Sequence, residues 1–121
     1  MDDADRHLRL VRFALGNGLR NCIHWTSEEL MDRVTSDPVL QGLTTGGIVE
    51  RLLDWGHRGC AVSKATERSD ECRHSFEHLF AVLIPVEALP RNLYVKMGLL
   101  DDDEECPGVA IVSCHLTSYP R

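Results

Sequence analysis

No stretch of this chain approaches the roughly 18 to 20 consecutive apolar residues that a membrane-spanning helix requires. The opening Met-Asp-Asp-Ala-Asp-Arg-His is acidic where a secretory leader would be basic and then apolar, so the chain is expected to stay in the cytoplasm. Cys-x-x-Cys pairs are missing too. The five cysteines, Cys22, Cys60, Cys72, Cys106 and Cys114, are odd in number and irregularly spaced. That argues against a disulfide framework and predicts reduced thiols. Internal repeats and low-complexity linkers are absent, which excludes a solenoid or a string of tethered modules. A basic excess is absent as well: 19 acids face 13 lysines and arginines, for a net charge of −6. Eight of those acids, however, are Asp2, Asp3, Asp5 and the run Asp101 to Glu105; the other 11 face 13 bases, a remainder of +2. A mildly cationic face beside an acidic loop is compatible with this balance, although dedicated nucleic-acid binders usually show a clearer excess.

What is present suits one domain. With 121 residues, 43% of them hydrophobic, a second independent core would leave each half below the usual minimum. Residues 7–19 carry Leu8, Val11, Leu15 and Leu19 at three- and four-residue steps, with Phe13 and Ala14 widening the stripe, and predict an amphipathic helix. A brief alternation follows over residues 21–25. Thr26 with Glu29 then has the spacing of a capping box, opening a short helix that Asp37-Pro38 ends. Thr44 or Thr45 can cap a third helix through Trp55, with Gly56 where a left-handed C-terminal cap is expected.

Beyond Gly56 the period changes from helical to extended. Residues 60–65, 75–86, 93–99 and 109–116 are short runs rich in Val, Ile, Leu, Phe and Tyr, with Pro85, Pro90 and Pro107 at their edges. Helices segregated ahead of consecutive strands predict an α+β fold, with the N-terminal helices packed on one face of a small, mostly antiparallel sheet.

Three chemistries fit the polar residues. A metal reading uses Cys72, His74 and His78 with Cys106, Cys114 or His115 as a distant ligand, a spacing that matches no established site. A second needs no metal, because RNA is cut by its own 2′-hydroxyl when a base removes that proton, an acid protonates the leaving oxygen and cations stabilise the phosphorane. Glu77 or a histidine such as His78 supplies the base and Tyr94 or a histidine the acid, while Lys64, Arg73 and Lys96 supply positive charge. The third is a winged helix with residues 44–55 as recognition helix, but its exposed Glu50, Arg51 and Asp54 are poor material for phosphate contacts.

The order of segments adds a resemblance. Amphipathic helix, short strand and helix, glycine-ended helix, then Val-Ser-Lys-Ala, Ser-Phe-Glu-His-Leu-Phe, Leu-Tyr-Val-Lys-Met and Val-Ala-Ile-Val-Ser follow one another. This succession resembles the MqsR toxins, a branch of the RelE-like bacterial ribonucleases, over residues 7–117, in order and spacing rather than identity. The resemblance implies a RelE-like sheet and a metal-independent, cofactor-free endoribonuclease that cuts mRNA and is neutralised by a cognate antitoxin. It places Lys64 at the family's catalytic lysine segment, Glu77 where the family has a glutamine, Tyr94 at the active-site tyrosine and Lys96 as the partner in Tyr-x-Lys. His78 as a catalytic assistant, and Arg73 and His74 as RNA contacts, rest on local chemistry alone. The rival from another class is a non-catalytic interaction or regulatory module on such a scaffold.

Overall fold

The computed structural model describes residues 3–16, 22–36, 40, 44–58, 62–65, 78–86, 92–101, 105 and 107–117. Its elements follow the switch of period read from the sequence: α1 (Asp3–Gly16), β1 (Ile23–Trp25), α2 (Glu28–Ser36), α3 (Thr45–His57), β2 (Ser63–Ala65), β3 (Leu79–Ile84), β4 (Leu93–Leu99) and β5 (Val109–Leu116). The last two strands have the bounds that alternation and flanking turn residues predict. The third is shorter than the expected 75–86, and residues 75–77 lie outside the described set.

Helix ends correct the sequence reading in two places. At α2 the cap is Ser27 rather than Thr26: its Oγ accepts from the Leu30 amide at 3.1 Å. At α3 Thr44 is the cap, its hydroxyl accepting from the Gly47 amide at 2.9 Å. That helix nevertheless runs on through Gly56 to His57 and ends at Arg58, whose φ of −80° is not left-handed. Gly56 is there for another reason. A Cβ at this position would lie 2.6 Å from Leu15 Cβ and 2.9 Å from the Leu15 carbonyl carbon and oxygen, so its bare backbone is what lets α3 close on α1. Phe13, expected to widen the apolar stripe of α1, is 41% exposed; Leu10, Val11, Ala14 and Leu15 are the buried residues.

Among the described residues the sheet has five strands in the order β1-β5-β4-β3-β2. All pairs are antiparallel except β1 with β5, which is parallel because α2, α3 and three strands intervene and return the chain in the same direction. This is the expected α+β layering of N-terminal helices on a mostly antiparallel sheet, and a five-stranded sheet is not the hairpin wing of a winged helix. One cluster joins Val11 and Leu15 of α1, Leu30 and Val34 of α2, and Ile48 and Leu52 of α3 to Phe80, Val82, Val95, Met97 and Ile111 of the strands. Removing each such side chain from water contributes about 1.5–3 kcal/mol. The Arg12 guanidinium donates to the Val62 carbonyl at 2.8 Å and ties α1 to the start of β2.

Candidate functional site

Strand parity divides the sheet into two faces. Leu93, Val95 and Met97 of β4, fully buried, belong to the helix-side cluster. Tyr94, Lys96 and Gly98 therefore belong to the opposite face. Register extends that face across the neighbours: Tyr94 stands opposite Leu83 of β3 and His115 of β5, and Lys96 opposite Ala81 and Ser113. A bulge at Lys96/Met97 restores the parity of β5, so Val109 and Ile111 join the helix side. The second face is not evenly open. Leu79, Ala81, Ala110 and Val112 are buried on it, whereas Leu83 and His115 are exposed and Tyr94 and Lys96 half-buried. The accessible part is the end that carries the row Leu83, Tyr94, His115.

There the side chains meet. The Tyr94 and His115 rings are stacked, with centroids 5.2 Å apart and planes 26° from parallel. The Lys96 ammonium lies 5.9 Å from the centre of the Tyr94 ring, at cation–π range. His115 Nδ1 is 2.9 Å from the Leu116 carbonyl oxygen. A carbonyl only accepts, so Nδ1 holds the proton and Nε2 of the neutral ring keeps its lone pair. The row thus presents a phenol, an imidazole with a basic nitrogen and a primary ammonium, the types needed for acid, base and charge stabilisation.

Lys64 pairs with Phe80, so the backbone register puts it in the row of Phe80 and Met97 rather than that of Lys96. His78 is half-buried beside α1, its ring edge-on to His7 at 5.2 Å, on the helix side. Glu77, Arg73 and His74 lie outside the described residues. Of the metal reading, Cys72, His74 and Cys106 lie outside them as well. Cys114 is buried in the helix-side cluster, and His115 faces away from it. Among the described residues no group of three or more His, Cys, Asp or Glu could hold a metal.

The cysteines correct a further expectation. Cys22, buried just ahead of β1, is disulfide-bonded, and its partner lies outside the described residues. Cys114 is a free thiol, and burial pushes it from 9.0 up to about 12. It is therefore no nucleophile at neutral pH.

His115 is the site residue that the sequence reading missed, having weighed it only as a distant metal ligand. A signal for it existed. The signal was incomplete: aligning 93 with 116 sets 94 opposite 115, aligning 99 with 109 sets it opposite 114, and only the bulge between Lys96 and Met97 reconciles the two ends.

No protein-family model, characterised protein or solved structure matches the chain. Among the described residues no helix is long and apolar enough to cross a membrane.

Proposed function

We propose that this chain is an endoribonuclease of the toxin type that cuts mRNA without a metal or other cofactor, using Tyr94, Lys96 and His115. The observation that carries the reading is the Tyr94–His115 stack with the Lys96 ammonium beside it, at the open end of the face away from the helices. Nε2 of His115 takes the proton of a 2′-hydroxyl, whose oxygen forms a bond to the adjacent phosphorus. The phosphorus bond to the 5′-oxygen breaks, and the Tyr94 phenol donates its proton to that leaving oxygen. Lys96 neutralises the charge that builds on the equatorial oxygens. The products are a 2′,3′-cyclic phosphate and a 5′-hydroxyl.

The resemblance to the MqsR toxins supports this assignment at Tyr94 and Lys96 and extends it to a cytoplasmic setting and a cognate antitoxin.

The test is cleavage of an end-labelled RNA by the purified chain in EDTA, with end-group analysis. Cyclic-phosphate ends, and a loss of about 10² to 10⁴ in rate for His115→Ala and Tyr94→Phe, are expected from removing an acid or base. No cutting by folded protein would refute the reading and favour the non-catalytic interaction module.

A further inference from the structure

Leu83 has no part in the chemistry above, yet it completes the row that carries it. Every other position of β3 is buried, whereas Leu83 is 47% exposed. It stands directly across from Tyr94, which stands directly across from His115. The three form an unbroken strip over β3, β4 and β5, spanning two inter-strand spacings, or about 9–10 Å. Two of its three residues, Leu83 and Tyr94, are apolar or aromatic, and the third is the His115 imidazole, with Lys96 in the adjoining row.

We propose that Leu83 and the outer part of the Tyr94 ring seat one unpaired nucleobase of the RNA, beside the phosphate held at Lys96 and His115. The inference rests on the ribonuclease reading and adds a positioning residue to it. The occupant follows from the sequence of chemistries along the strip. A ligand covering it must offer a flat apolar face at Leu83 and, within one residue's reach, an anion at the cations. A nucleotide is built that way: any base has a π face to stack, and its own phosphate lies one sugar away. In a duplex those faces are taken by the neighbouring base pairs, so the base must be unpaired.

The experiment uses a short single-stranded oligonucleotide whose 2′-deoxyriboses cannot be cut, carrying 2-aminopurine at successive positions. Binding is read by anisotropy and stacking by quenching. Leu83→Ala and Leu83→Asp, both checked for folding by circular dichroism, should weaken binding about 5- to 50-fold and relieve the quenching at one position. An abasic nucleotide at that position should weaken wild-type binding by a similar factor and leave Leu83→Ala unaffected. The duplex should bind less well than the single strand. Unchanged affinity and quenching in both Leu83 variants would overturn the proposal, even where wild-type protein still cuts RNA. Leu83-dependent binding by a protein that cuts nothing would leave the base seat standing and remove the ribonuclease.

Discussion

Replacing Gly56 with alanine sets two physical effects of opposite sign against each other. Gly56 sits inside α3, where an alanine ordinarily stabilises a helix by about 1 kcal/mol. The added methyl, however, would lie 2.6 Å from Leu15 Cβ and 2.9 Å from two atoms of the Leu15 backbone. Leu15 is fully buried, and a backbone cannot escape by changing rotamer. The helices must therefore move apart, which opens the packing of Ile48, Leu52 and Val11 that the close approach makes possible. Overpacking of this kind costs about 1–3 kcal/mol, and contact with backbone puts it at the upper end. The net expectation is a loss of about 2 kcal/mol, or roughly 6–10 °C in Tm for a chain of this length. Gly16→Ala is the control. Its Cβ would meet only the Gly56 carbonyl oxygen at 3.8 Å, an ordinary contact, and its Tm should stay within about 2 °C of wild type. Thermal and urea unfolding of the three proteins decide the matter. If Gly56→Ala is as stable as wild type or more so, the close α1–α3 crossing is wrong and helix propensity alone governs the site.

Other consequences can be checked on the same protein. Burial holds the Cys114 thiol at about 12 against 9.0, so the folded state keeps a proton that the unfolded chain releases. That stabilisation is fully present below pH 9 and is lost as pH rises toward 12, by up to about 4 kcal/mol; a Cys114→Val variant should lose the corresponding slope of unfolding free energy against pH. Reduction of the Cys22 disulfide should lower stability by about 2–4 kcal/mol relative to non-reducing buffer, read as a drop in Tm on adding dithiothreitol that Cys22→Ser abolishes. Lys96→Ala should lower cleavage of an end-labelled RNA by orders of magnitude; unchanged cleavage would remove the ammonium beside Tyr94 from the site.

Elements with a repeating pattern were legible in the sequence. The bounds of β4 and β5 follow from alternation closed by turn residues, and the Thr44 cap follows from a hydroxyl three residues ahead of an amide in need of an acceptor. Gly56 shows where such reasoning stops. Glycine just after an apolar helical run satisfies the rule for a left-handed cap and equally the requirement for close helix crossing. Only the position of Leu15, some forty residues away in sequence, separates the two. Phe13 is a similar case: on the helical wheel it borders the apolar stripe, but the width of the buried stripe is set by how α3 and the sheet lie against α1. The Cys22 disulfide was missed because an odd cysteine count bears on a framework and says little about a single bond.

The site was legible as residue types and illegible as an arrangement, and the reason is the two-residue period of a strand. Local sequence sets Tyr94 and Lys96 on one face, since they are two apart on the same strand. It cannot set Lys64 relative to them, because a slip of one residue in the pairing of β2 with β3 would transfer Lys64 from one face to the other. The backbone register pairs Lys64 with Phe80, and the separate register of β4 with β5 sets His115 opposite Tyr94. Membership in a catalytic set is thus decided across strands rather than along them. Tyr94, Lys96 and His115 stand outside the helix-side cluster but pair across β4 and β5, so a loss of cleavage in their variants is read as chemistry only where circular dichroism shows the fold intact.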